Sequence, residues 1–443
     1  MENAKKRIAL LLTFLMVVTF FAGCGKKVEQ TQSAANTEKK ESKAQPEEKE
    51  QVKLKFSCWD YETSGYDKEI IETFKKMNPD IGIEVLDIAA KEYADKLTVM
   101  LAGGEAIDVF YAKDPSSFAG MVLKNQIMPI DELVAKDNLN LEPYGSMMEK
   151  LKIDGKLYGL PYRSDYWLLF YNKDLFDQAK IAYPTNDWTW NDFKETSKKL
   201  TSGEGNNKIY GSYIQTWASA YFLMGLQKGA GNMVEGSYSM LKDGLELLCD
   251  IQLKDKSAAD YATNKSMGAH YRGIFEKGNV GMLYMGTWFI NALVKDKQDG
   301  KHNINWGIVQ MPVWEGSNDA TIGLTTPVVI NSKTKHKDAA WKLAKFIGGK
   351  EGAKILAKNL LIPGYMDEEV MKIFNENPDF PKEGQDALKT NNIYLEWPAH
   401  KLSGLLGKMV DEEIQMVATG NKTVDAAIAD MEKRRKEIME QNK

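Results

Sequence analysis

The chain has 443 residues and a formal net charge of −4. That length can bury a large core and exceeds the usual size of one domain, so two lobes are expected. The near-balanced charge gives no reason to expect nucleic acid as a partner.

Lys5, Lys6 and Arg7 precede an apolar run from Ile8 to Ala22. At about fifteen residues the run is short for a bilayer span and right for a secretory signal. It ends at Phe21-Ala22-Gly23-Cys24, which resembles a bacterial lipobox, with Phe21 standing where leucine is usual. The resemblance implies a signal peptide over 1–23 and lipidation of Cys24. Residues 24–51 follow, too polar and too mixed in charge to order themselves, so a lipid-anchored disordered tether is expected. Together these features predict a protein held on the extracytoplasmic face of a bacterial cell membrane. Cys58 and Cys249 fall in an apolar strand and an apolar helix and read as free, buried thiols.

The body then opens with Val52 to Trp59, which alternates apolar and polar residues as a strand does. Ile70, Ile71, Phe74 and Met77 recur at helical spacing until Asn78-Pro79-Asp80 stops them. Ile81, Ile83 and Val85 alternate again, Leu97, Met100 and Leu101 line another helix, and Ile107, Val109 and Phe110 make a third strand. Alternating strands and helices predict a parallel sheet with crossover helices, whose ligands bind beyond the carboxyl ends of the strands. Trp59, Asp60 and Tyr61 lie at one such end; Tyr111, Lys113 and Asp114 lie at another.

The stretch GKLYGLPYRSDYWLLFYNKDLF, residues 155–176, interleaves rings with hydrogen-bonding groups more densely than a core strand needs. Farther on, Thr189 can cap a helix over TWNDFKETSKKL, and Val280, Met282 and Tyr284 alternate as a strand before Gly286, Thr287 and Trp288. HKDAAWKLAKFIGG reads as an amphipathic helix. The last helix, capped by Thr423, carries dense charge and reads as a solvated face, Arg434 and Arg435 included. The four histidines, His270, His302, His336 and His400, show no paired ligand spacing, so surface histidines are expected and no metal. Without a GxxxxGK phosphate loop the chain is not expected to hydrolyse ATP, and without a GxSxG elbow it lacks that nucleophile class. No cofactor is expected.

AGGEAIDVFYAKD, the 155–176 stretch with WTWNDFKETSKKLT, FEKGNVGMLYMGTW and WGIVQMPVWEG occur in this order. So arranged, they resemble the family 1 extracellular solute-binding proteins of ABC sugar importers, of which maltose-binding protein is a member. The resemblance implies an α/β, two-lobed periplasmic-binding-protein fold, each lobe a mostly parallel sheet flanked by helices, joined by a multi-segment hinge. Lobe 1 would comprise 52–164 plus 325–372, and lobe 2 165–324 plus 373–443. Residues 155–176 would be the first crossing, and Ala320 to Thr326 the second.

A sugar offers hydroxyls at its rim and C–H surfaces on its faces, which suit carboxylates and aromatic rings respectively. By resemblance Asp114, Asp165 and Trp288 fall at ligand-contacting positions. Their plainer readings are a turn aspartate, a surface charge paired with Arg163, and core packing. Trp59, Asp60, Trp217 and Trp397 are further candidates, and Arg163 could admit an acidic, uronate-bearing sugar. The implied function is capture of a carbohydrate, a neutral oligosaccharide, by a monomer that delivers it to permease subunits served by a separate ATPase. An exported glycoside hydrolase and a surface sensor or adhesin are the alternatives.

Overall fold

β1 (Val52–Trp59) runs parallel to β2 (Ile81–Ile88), Val52 opposite Ile81 and Trp59 opposite Ile88. On its other side lies β3 (Val109–Tyr111), also parallel. Helices Tyr66–Met77 and Tyr93–Ala102 make the crossovers that the apolar spacing predicts, burying Ile70, Ile71 and Phe74 from the first and Leu97 and Leu101 from the second. Met77, in the last turn, is exposed. This computed structural model describes residues 51–442, apart from 114, 146, 230, 318, 319, 390 and 391. The signal peptide, Cys24, nearly all of the tether, and Asp114 lie outside the described residues.

A short hairpin, β4 (Lys152–Ile153) and β5 (Lys156–Leu157), leads into β6 (Leu160–Asn172), the longest strand described. Twelve of its thirteen residues are buried, so its apolar residues need no alternation. Beyond it come β7 (Tyr210–Tyr213), β8 (Val280–Gly286), β9 (Trp306–Gln310), β10 (Ala320–Ile330) and β11 (Asn392–Leu395). The sheet order is β2-β1-β3-β10-β6-β8-β7, with β11 on β10 and β9 on β6.

β6 changes partners along its length. Its first half pairs antiparallel with β10, and its second half, from Trp167 or Leu168 onward, pairs antiparallel with β8 and β9. β10 reaches back to β3, Val328 opposite Tyr111, while its opening residues pair with β11 in parallel. Where β6 and β10 meet, Pro161 faces Pro327 beside a register shift at Thr326. Neither proline has an N–H to give, so the ladder is weakest there. A third segment runs alongside: Ser164 N–H donates to the Ile362 carbonyl (3.1 Å), and Gly364 N–H donates to the Tyr162 carbonyl (2.9 Å).

Two hydrophobic cores lie on either side of these segments. One gathers β1 to β3, β6 as far as Tyr162, Val328–Ile330 of β10 and the helix Lys337–Gly348. The other gathers β6 from Tyr166 on, β7 to β9, Ile322 and the helices Ser403–Ala418 and Val424–Gln441. Helix Lys350–Lys358 feeds both, Ile355 and Leu356 to the first and Ala353 and Ala357 to the second.

Three expectations need correction. His302 is buried, with Nε2 against the Leu293 carbonyl at 2.9 Å and Nδ1 accepting from Ile304 N–H, because the chain after helix Trp288–Gln298 folds back onto that helix. Charge on the last helix is spent on packing as well as on solvation. Arg434 binds Glu412 and Glu413, and Arg435 lies over the Tyr238 ring while bonding Glu432 and the Gly236 carbonyl. Cys58 and Cys249 are both free, but Cys249 is only half-buried.

Candidate functional site

The seam between the cores is built from β6 outward. Side chains alternate faces along a strand, so Tyr162 turns into the first core while Arg163 and Asp165, two apart, meet on the opposite face. Tyr162 stacks on Tyr111 (centroids 4.2 Å apart, planes 9°), and both hydroxyls donate to Asp67 Oδ1, at 2.6 and 2.7 Å. Burial drives the Asp67 carboxyl up to about 6, opposed by those two donors and the Arg163 charge. Asp67 thus rivets helix Tyr66–Met77 to β3 and to the entry of β6.

Arg163 is buried, its guanidinium 5.5 Å from the Trp59 ring centre and 5.7 Å from that of Tyr162, with Nη1 donating to Tyr66 Oη at 3.4 Å. Its Nε lies 3.5 Å from Asp165 Oδ2, close enough for charge pairing. Yet neither atom has a hydrogen-bond partner among the described residues. Burial opposes the arginine charge, but Asp165 and the surrounding tyrosines more than restore it. Asp165 is only 2% exposed, so its plain reading as a surface charge falls, while its pairing with Arg163 stands. Its Oδ1 accepts from Thr287 Oγ1 at 2.8 Å. The carboxylate therefore sits at the start of helix Trp288–Gln298, where the free N–H groups and the helix dipole favour negative charge. Burial nonetheless lifts its pKa, against the pull of Arg163.

Trp288 is half-buried and packs against both cores. Its ring folds over Gly286, where an added Cβ would fall 2.0 Å from Cζ3, so only glycine seats it. It meets Trp167 edge-on at 5.9 Å and Trp217 at 6.4 Å. Trp217 is 37% exposed, and Tyr271 and His270 continue the aromatic row. On the first-core side Trp59 lies edge-on to Tyr93 and Tyr111, and the Lys113 ammonium is 5.5 Å from its ring centre.

Arg163, Asp165, Trp288, Trp217 and Trp59 therefore converge on one seam. Asp60, half-buried, spends one carboxylate oxygen on the local backbone. It adopts a left-handed backbone (φ 53°) and accepts from Ala90 N–H at 3.0 Å, tying the end of β1 to the chain beyond β2. Trp397 lies in the second core, edge-on to Phe222 at 5.8 Å. Its neighbour Glu396 reaches the seam instead, accepting from Trp167 Nε1 at 2.6 Å. Sequence reasoning missed Tyr66, Asp67, Thr287, Tyr271 and Glu396. Thr287 alone carried a signal, as a hydroxyl between a glycine and a helix start.

Two lobes sharing crossing strands, with rings and a buried ion pair at the seam, define a binding protein of the two-lobed class. The model of the bacterial extracellular solute-binding protein family matches residues 59–354, and the chain belongs to that family. A sugar transporter of Rhizobium etli, solved in an open conformation, is 34% identical (TM-score 0.74) and is matched over 87% of this chain and 99% of its own. The ABC substrate-binding protein of Listeria monocytogenes in complex with cycloalternan is 24% identical (TM-score 0.78), over 88% of this chain and 99% of that one. An arabinooligosaccharide-binding protein of Bacillus subtilis is 24% identical over 77% of this chain and 82% of its own length. The last two are named as binding proteins. No helix among the described residues is long and apolar enough to cross a membrane.

Proposed function

We propose that this protein captures a neutral oligosaccharide between its lobes and delivers it, unaltered, to the permease of an ABC importer whose ATPase is a separate chain. The observation that carries the reading is the seam itself: Trp288 packed against both cores, beside Trp217, Trp59 and the Arg163–Asp165 pair. Rings suit the C–H faces of sugars, and the polar pair suits their hydroxyls. The sugars named with the relatives support this class of ligand. Asp114, Asp165, Trp288, Trp59 and Trp217 are the proposed contacts. Asp60 and Trp397 shape the walls rather than touch the ligand.

The lobes divide between Arg163 and Tyr166 on β6 and between Gly323 and Pro327 on β10, with Ile362–Gly364 as the third hinge segment. The core memberships of Tyr162, Tyr166, Ile322 and Val328 support these points. Ligand contacts from both lobes favour the closed state, which is the form a permease would recognise. Cys24 carries the lipid that holds the body at the membrane. A thermal-shift screen over neutral and acidic oligosaccharides tests the reading, because a ligand bound only by the folded protein raises Tm by mass action. A neutral series that raises Tm and is recovered intact supports it. Release of smaller sugars would make the protein a hydrolase instead.

A further inference from the structure

We infer that the end of the first lobe at which the chain enters it is a membrane-facing surface, and that its partner is the anionic headgroup layer of a lipid bilayer.

Topology gathers this surface. β1 and β3 run parallel, Phe56 opposite Val109, and β10 returns antiparallel, Ile330 opposite Val109. The start of β1, the start of β3 and the end of β10 therefore project from one end of the sheet. Helices that cross between parallel strands run back toward that same end. Three hydrogen bonds tie it together. Val52 N–H donates to the Asp80 carbonyl just past helix Tyr66–Met77 (3.2 Å), and Asp108 N–H donates to the Lys55 carbonyl (2.9 Å). Ser332 N–H donates to the Gln126 carbonyl just past helix Pro115–Leu123 (3.0 Å). Trp59 closes β1 at the opposite end, by the seam, roughly 23 Å of strand away.

This end exposes more than a face that meets only water needs. Met77, Val99 and Leu123 are 59%, 70% and 60% exposed, and each lies in the last turn of its helix. One such side chain alone would mean nothing, but these three share their end with a basic set. Lys53 on β1, Lys76 and Lys124 at helix ends, and Lys333, Lys335 and Lys337 where β10 passes into helix Lys337–Gly348 are all exposed. None of the six has an ion pair among the described residues, and the exposed His336 stands between two of them. Acids adjoining them are mostly spent. Glu84 and Glu105 bind Lys55, Asp338 binds Lys136, and Asp108 accepts from Lys55 N–H and the Thr334 hydroxyl. Asp80 stays exposed and opposes them. The whole chain is negative, at −4, so this gathering of cations runs against its composition.

Lysines with apolar stems, set among protruding apolar side chains, fit the interface of an anionic bilayer. A soluble polyanion would meet the charge but leave Met77, Val99 and Leu123 in water. Under the anchoring proposed above, the chain from Cys24 reaches the body at this end, through Val52, and the seam faces away from the bilayer. The inference takes its setting from that anchoring, but its test does not need the lipid.

Residues 25–443, which lack the lipidated cysteine, are sedimented with vesicles of equal parts phosphatidylglycerol and phosphatidylcholine, and with vesicles of phosphatidylcholine alone. The wild-type chain should partition onto the anionic vesicles at low salt and leave them at high salt, because salt screens the attraction. Each lysine near an anionic surface strengthens partitioning about fivefold. Lys333→Ala, Lys335→Ala and Lys337→Ala together should therefore weaken it about a hundredfold, with the melting curve unchanged. Met77→Ser with Leu123→Ser should weaken it by a smaller factor and leave the salt dependence in place. Equal binding to both vesicles, binding to neither, or a triple variant that binds as the wild type does overturns the inference. Tighter binding to polyglutamate than to the anionic vesicles also overturns it and makes the face a contact for an acidic protein. Fractionation of the Cys24→Ala protein tests the anchor separately, so either reading can fail alone.

Discussion

Asp67 makes the stability of the first lobe depend on pH in a direction opposite to most paired carboxylates. Burial raises its pKa from the ordinary 3.8 to about 6. Between those two values the folded protein holds a proton that the unfolded chain has released, so stability falls as pH rises. The contribution is fully present below about pH 4 and is lost as pH climbs through about 6. At about 1.4 kcal/mol per pH unit the loss comes to about 3 kcal/mol. Asp67→Asn removes the titration but keeps Oδ1, the atom that accepts from both Tyr111 and Tyr162. Urea unfolding of wild type and variant at pH 4.5 and pH 7.5 should show the variant gaining about 2–3 kcal/mol relative to wild type at the higher pH. Asp67→Ala strands two buried hydroxyls, at about 1–3 kcal/mol each, and should be the less stable variant at both pH values. A difference between Asp67→Asn and wild type that does not change with pH would show that Asp67 does not titrate between pH 4.5 and 7.5 in the folded protein.

Trp288→Ala removes the ring that touches both cores and should weaken sugar binding about 10- to 100-fold, read by calorimetry, with the fold retained. Gln227 accepts from Trp190 Nε1 at 2.7 Å and donates to the Pro312 and Ala320 carbonyls at 2.9 Å each. Gln227→Ala should therefore cost about 2–4 kcal/mol in denaturant unfolding without touching the seam. Cys24→Ala should shift the protein from the membrane fraction to the soluble one, or leave it unprocessed, with sugar affinity unchanged. Small-angle scattering should show a smaller radius of gyration when sugar saturates the protein; an unchanged radius would count against closure.

The first three strands and their crossover helices were legible because their periods are clean: β1 alternates, and Ile70, Ile71 and Phe74 repeat at helical spacing. The N-cap at Thr189 was equally plain, and the structure adds Asp192 to it as a capping box. β6 was legible as unusual, and the structure explains why. It serves two cores with one strand, so it carries rings for both and an ion pair between them. The Asp67–Tyr111–Tyr162 rivet was not legible, because its members lie 44 and 95 residues apart along the chain and only the fold unites them. Trp397 misled for the opposite reason: a tryptophan late in the chain suits either a cleft or a core, and only packing against Phe222 distinguishes them. The same holds for the last helix, whose arginines look solvated until Tyr238 and Glu413 are brought beneath them.

The proposed seam takes a carbohydrate and returns it unchanged. Calorimetric titration of residues 52–443 with the neutral oligosaccharide that most raises Tm, followed by chromatography of the recovered sugar, tests it most directly. One saturable site per chain, lost or strongly weakened in Trp288→Ala, with the sugar recovered at full length, is the expected result. Shortened sugar, or binding that Trp288→Ala leaves untouched, would contradict it.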